Sequence, residues 1–190
     1  MSTCLIETKS LSKRFKDLIV IENLNINIMK GKIYLLTGEN GSGKSTFLKL
    51  LVGLYKPTRG VIKRSYQNFS YVPELLIYKD KIKVSKYLNR VTKLLNVKRD
   101  LEKEEYFLIE TDKCLNELSK GNQKKIMLYL AFLKDNEIVF LDEPFDGLDK
   151  DILKRVINYI NDNSEVTYVI SSHNKKVFEL LEEKEVISFD

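Results

Sequence analysis

Cysteine, proline and histidine are scarce in this 190-residue chain, with two, three and one copies. Cys4 and Cys114 lie far apart and make no metal-ligand spacing. That excludes a disulfide framework and a cysteine-based zinc site, and points to reduced thiols in a cytosolic protein. No apolar run approaches the roughly 20 residues that cross a bilayer; the best is Ile126 to Leu133. The N-terminus has no charged-then-apolar signal segment. The expectation is a soluble chain whose membrane role, if any, goes through a partner. Internal repeats and low-complexity segments are also missing. The three prolines fall where segments end: Pro57 in a turn, Pro73 and Pro144 after apolar runs.

Hydrophobic residues make up 43% of the chain, enough for a real core, and the length suits one domain. The net charge is +5. Mild basicity is compatible with nucleic acid, a membrane surface or phosphate ligands, and selects none of them.

The most informative stretch is Gly38-Glu39-Asn40-Gly41-Ser42-Gly43-Lys44-Ser45-Thr46. It fits the phosphate-loop pattern G-x-x-x-x-G-K-[ST] at every fixed position. The run Lys32 to Thr37 precedes it as a short buried strand, and apolar residues at helical spacing follow from Ser45 to Val52. A loop wrapped around phosphates must turn its N–H groups inward, which Gly38, Gly41 and Gly43 permit. The next helix adds its N-terminal N–H groups and dipole. In that chemistry Lys44 reaches the β- and γ-phosphates and the Ser45 hydroxyl binds Mg²⁺.

Elsewhere the periods alternate. Residues 3–9 predict a first strand, and Leu24 to Ile28 alternates strictly as a half-buried antiparallel strand. Val61 to Lys63 and Phe69 to Val72 predict short strands after the Pro57–Gly60 turn. Residues 84–97 turn helical, with Val84, Tyr87, Leu88, Val91, Leu94 and Leu95 on one face. This stretch is basic: Lys79, Lys81, Lys83, Lys86, Arg90, Lys93, Lys98 and Arg99 outweigh Asp80 and Asp100. It is either a solvated helix face or a surface near anionic lipid headgroups or an acidic partner. Helices are expected from Lys124 to Leu133, Asp149 to Tyr159 and Asn174 to Leu181. Strands are expected over 137–142, 166–170 and 186–189, giving a mainly parallel α/β sheet.

The buried run Ile138 to Leu141 leads into Asp142-Glu143-Pro144. Paired carboxylates at the carboxyl end of such a strand face the ligand crevice. There Asp142 would bind Mg²⁺ and Glu143 would polarise the water attacking the γ-phosphate. Ser119 reads as a helix N-cap, yet Lys124 and Lys125 close behind oppose the helix dipole, a conflict that a bound anion would resolve. His173 follows Ser171-Ser172 at a strand end on the same sheet edge. A lone histidine is more often structural than catalytic.

In this order the pieces resemble the nucleotide-binding cassette of ABC transporters over nearly the whole chain. Gly38 to Thr46 matches the Walker A loop and Ile138 to Glu143 matches Walker B. Leu118-Ser119-Lys120-Gly121-Asn122 resembles the LSGGQ signature, Gly147-Leu148-Asp149 the D-loop, and His173 the switch histidine. The resemblance implies a P-loop NTPase (RecA-like) fold with an N-terminal antiparallel β subdomain and a small helical subdomain. Residues 1–73 and 119–190 would form the core with the β subdomain, and 74–118 the helical part. It also implies ATP and Mg²⁺ as cofactors, with adenine stacked on Phe15 and Glu74 at the metal. Two cassettes, as a homodimer or heterodimer, would close head-to-tail, so that Ser119 and Gly121 touch the γ-phosphate of the partner. Asp149 would link the two sites, and His173 would hold the γ-phosphate and the attacking water.

This sequence departs from the family pattern at Lys120 and Asn122 in the signature, and at Glu74 in place of the usual glutamine. The leading reading is a transporter ATPase subunit, inclined to export, at the inner face of the membrane through a separate permease, with no nucleic acid. The alternative is a non-transport ABC ATPase acting on nucleic acid or ribosomes.

Overall fold

The computed structural model describes residues 3–74, 78 and 81–189. Strand β1 (Cys4–Phe15) is the hub of an antiparallel sheet. It pairs with β2 (Leu18–Leu24), β3 (Asn27–Met29) and β5 (Arg59–Arg64). The predicted single strand Leu24–Ile28 is therefore two pieces. Between them side chains take over part of the ladder: the Ser10 N–H donates to Asn25 Oδ1 at 2.8 Å and the Ile26 N–H to Thr8 Oγ1 at 2.8 Å, while the Ile26 carbonyl still accepts from the Thr8 N–H at 2.9 Å.

A second, parallel sheet contains β4 (Ile33–Thr37), β6 (Phe69–Val72), β7 (Ile138–Asp142), β8 (Thr167–Ser171) and β9 (Lys184–Ser188). The spatial order is β6-β7-β8-β4-β9. Every residue of β7 and β8 is buried, as expected for strands covered on both faces. Their side chains alternate between two cores. Leu35, Val139, Leu141, Tyr168 and Ile170 face helices α4 (Lys120–Phe132), α5 (Lys150–Asp162) and α6 (Lys175–Leu180). Tyr34, Leu36, Ile138, Phe140 and Val169 face α1 (Lys44–Leu51) and the antiparallel sheet. The strand order places the ends of β7, β8 and β4 side by side, and these are the strands that lead into Glu143, Ser172 and the phosphate loop.

Helices α2 (Val84–Leu94) and α3 (Leu101–Tyr106) and a 3₁₀ turn at Leu115–Glu117 cover the first core. The predicted apolar face of α2 holds only in part. Val84 and Leu88 are buried, but Leu94 is 84% exposed and Leu95 is exposed as well. The end of this helix runs past the core and leaves two apolar grooves. Lys79 and Asp80 lie outside the described residues. Arg99 and Asp100 are structural: Arg99 Nε donates to the buried Glu104 at 2.7 Å, and Asp100 caps α3. No helix among the described residues is long and apolar enough to cross a membrane.

Candidate functional site

The phosphate loop leaves β4 in the conformation its glycines permit, with φ of 138°, 87° and 110° at Gly38, Gly41 and Gly43. L side chains rarely adopt these angles. Lys44 is buried and folds back on the loop, donating to the Gly38 carbonyl at 2.7 Å and the Glu39 carbonyl at 2.8 Å. Ser42 Oγ is buried with no hydrogen-bond partner among the described residues. A buried hydroxyl beside an ammonium that meets only loop carbonyls is a donor set made for an anion.

Asp142 is 1% exposed. Its Oδ1 accepts from Ser45 Oγ and from Ser171 Oγ, both at 2.8 Å, and its Oδ2 faces the Tyr71 hydroxyl at 3.4 Å. The Ser45 hydroxyl and the Asp142 carboxylate are the hard oxygen ligands that Mg²⁺ takes. Glu143 follows with a left-handed backbone, φ 44°. Its N–H donates to Ser171 Oγ at 2.9 Å, and its Oε2 lies 3.1 Å from His173 Nδ1. Burial pushes the Glu143 carboxyl above its ordinary pKa, Asp146 adds to this, and His173 and Lys44 oppose it.

Part of this set lines one cleft of about 480 Å³, a volume that suits a small ligand. Its lining holds Phe15, Asn40, Gly41, Gly43 to Thr46, Glu74, Glu143, Asp146 and His173, while Asp142 is buried behind Ser45. Phe15 is braced edge-on by Tyr55, ring centroids 5.5 Å apart, with Lys13 Nζ 4.7 Å from its ring centre.

Ser119, Gly121 and Asp149 do not line this cleft. Ser119 caps α4 by accepting from the Asn122 N–H at 3.2 Å, so that helix begins one turn earlier than its apolar pattern. Asp149 caps α5, accepting from Asp151 and Ile152. Gly121 lies against the Gly147 backbone. The Asn122 amide donates to Glu110 Oε1 at 2.6 Å. The two lysines expected to oppose the helix dipole are both held by backbone carbonyls. Lys125 Nζ donates to the Leu108 carbonyl at 2.8 Å, and Lys124 Nζ to the Glu74 carbonyl at 2.6 Å.

Four residues of the site escaped the sequence reading: Tyr71, Lys124, Asp146 and Ser171. Asp146 lies only three residues after Glu143, in the turn beyond it, whereas Ser171 is brought level with Asp142 by the β7–β8 register, which the sequence does not show.

Known proteins resemble this chain in sequence and fold. The sequence profile of the ABC transporter family matches residues 21–146. The zinc import ATP-binding protein ZnuC of Vibrio vulnificus is 32% identical over 77% of this chain and 58% of its own. The bacitracin transport ATP-binding protein BcrA of Bacillus licheniformis is 30% identical over 91% of this chain and 62% of its own. The chain thus spans less than two thirds of the length of either relative. Among solved structures, a putative ABC transporter ATP-binding protein from Pyrococcus furiosus superposes with a TM-score of 0.79 at 28% identity, covering 95% of this chain and 96% of that one. With its phosphate loop and this match over residues 21–146, the chain belongs to the ABC transporter family, as an ATP-binding cassette.

Proposed function

We propose that this chain is the ATP-binding and ATP-hydrolysing subunit of an ABC transporter, driving a membrane-spanning subunit on a separate chain. The observation that carries the reading is the 2.8 Å contact of Ser45 with Asp142, directly beside a buried, histidine-paired Glu143.

In this reading Phe15 stacks on adenine while Gly38, Glu39, Asn40, Gly41, Ser42, Gly43 and Thr46 wrap the phosphates with backbone N–H groups. Lys44 leaves its loop carbonyls for the β- and γ-phosphate oxygens. Ser45 and Asp142 would hold Mg²⁺, with Glu74 lining the same cleft as Ser45. The ion supplies neutralisation of the phosphate charge. Glu143 takes the proton of the attacking water, and its raised pKa suits a base working near neutrality. His173, hydrogen-bonded to that carboxylate, keeps it aimed and faces the γ-phosphate.

Ser119, Gly121 and Asp149 lie outside the cleft because they serve a second cassette, the first two facing its γ-phosphate and Asp149 linking the two sites. Residues 74–118 form the helical subdomain on a core made of 1–73 and 119–190. The permease docks at the grooves beside α2, where Val91 and Leu95 meet Tyr78, Met127 and Leu130, next to exposed Lys81, Lys83, Lys86 and Arg90. That partner would hold the chain at the inner face of the membrane. One relative is named for zinc import and the other for bacitracin transport, so cargo and direction belong to the permease.

The test is co-purification of the Glu143→Gln protein with MgATP from detergent-solubilised membranes of its source. A multi-span membrane protein in the complex supports the reading. Ribosomes or nucleic acid in its place would replace the transporter with the alternative.

A further inference from the structure

Glu143 is held in a backbone conformation that non-glycine residues keep only when their surroundings enforce it. One side of the clamp is clear: its N–H is bound to Ser171 Oγ at 2.9 Å. The other side is the peptide joining Glu143 to Pro144. Proline has no N–H, so the orientation of that peptide depends on what its carbonyl meets. It meets Lys124 Nζ at 3.2 Å and, more distantly, the Asp146 N–H at 3.4 Å. The same ammonium donates to the Glu74 carbonyl at 2.6 Å and reaches the Pro73 carbonyl at 3.4 Å. Lys124 is 6% exposed. Its three donors go to backbone carbonyls from two segments, and none goes to a carboxylate. Burial pushes its pKa down, while the charges of Asp146, Asp142, Glu74 and Glu143 favour the ammonium form. Solvation gives no reason to place a charge here. Its contacts do give one.

We propose that Lys124 is a positioning residue for Glu143, fixing the peptide behind the catalytic carboxylate and pinning it to the Pro73–Glu74 backbone that carries Glu74 to the cleft. The inference rests on the role of Glu143 proposed above. A carboxylate displaced by a fraction of an ångström still permits nucleotide binding and loses its aim at the water.

The experiment is a double-mutant cycle of Lys124→Met and Glu143→Gln, read by MgATP binding and single-turnover hydrolysis. Lys124→Met is expected to bind MgATP within about threefold of wild type while the hydrolysis rate falls about 10- to 100-fold. In the Glu143→Gln background the same substitution should change residual hydrolysis by less than about twofold, since its effect runs through the missing carboxylate. Lys124→Gln, which keeps a donor, should fall less in the wild-type background and not at all in the other. It carries the same cycle if Lys124→Met does not fold. A merely structural lysine would slow both backgrounds equally; that result overturns the proposal. So does wild-type hydrolysis by Lys124→Met while Glu143→Gln is inactive. Wild-type hydrolysis by Glu143→Gln would instead remove the proposed base, and this inference with it.

Discussion

Replacing Gly121 by alanine should destabilise the protein, against the usual sign. Gly121 is the second residue of α4, where alanine is favoured over glycine by about 1 kcal/mol. Here an added Cβ would lie 2.1 Å from the Gly147 carbonyl oxygen. Carbon and oxygen approach comfortably only to about 3.3 Å, so something must move by roughly 1 Å. The obstacle is backbone, in a turn where Gly147 itself has φ 78°, and it cannot rotate away as a side chain would. Overpacking of this kind costs about 1–3 kcal/mol. With the propensity gain subtracted, a net loss of up to roughly 2 kcal/mol remains. That corresponds to a melting temperature lower by up to about 8 °C for a chain of this size. Thermal unfolding of the nucleotide-free protein reads this directly. Separating the α4 start from the Gly147–Asp149 turn should also displace Ser119, so ATP turnover should fall as well. A melting temperature at or above that of wild type would refute the close approach.

Three further outcomes follow from the cleft. Lys44→Ala should weaken MgATP binding by about 10- to 150-fold, the worth of a hydrogen bond to a charged group; titration calorimetry showing retained tight binding would contradict the loop assignment. Phe15→Ala should cost about 1–3 kcal/mol of ATP affinity and leave tripolyphosphate binding nearly unchanged, so an equal loss for both ligands would remove Phe15 from the base site. Because burial raises the Glu143 pKa, the acid limb of the turnover profile should sit above the usual glutamate value near 4.3. The folded state then binds that proton more tightly than the unfolded chain, so its stability declines as pH rises through the raised value. Glu143→Gln should therefore melt higher than wild type at neutral pH; equal melting would remove the desolvation argument.

What was legible in the sequence was local. The phosphate loop has fixed glycines, and β7 has an unbroken apolar run into Asp142 and Glu143. The strands carried their own period, so the order of sheet and helix followed. What was hidden joins distant segments. Lys124 meets the Pro73–Glu74 backbone about 50 residues away in sequence, and a lysine near a helix start reads locally only as a charge opposing the helix dipole. Leu94 and Leu95 fit a helical face by spacing, but spacing does not say where the core beneath ends. The break at Asn25 and Ile26 likewise depends on Thr8 and Ser10 from another strand offering better partners than the ladder.

The central claim is that Glu143, set beside the phosphate loop, is the base for ATP hydrolysis. The most direct measurement is turnover by Glu143→Gln beside wild type, with MgATP binding measured on the same samples. Equal binding, turnover lower by about 10²- to 10⁴-fold and accumulation of an ATP-bound dimer are expected. Wild-type turnover by Glu143→Gln would contradict the claim and send the search for the base back to the rest of the cleft.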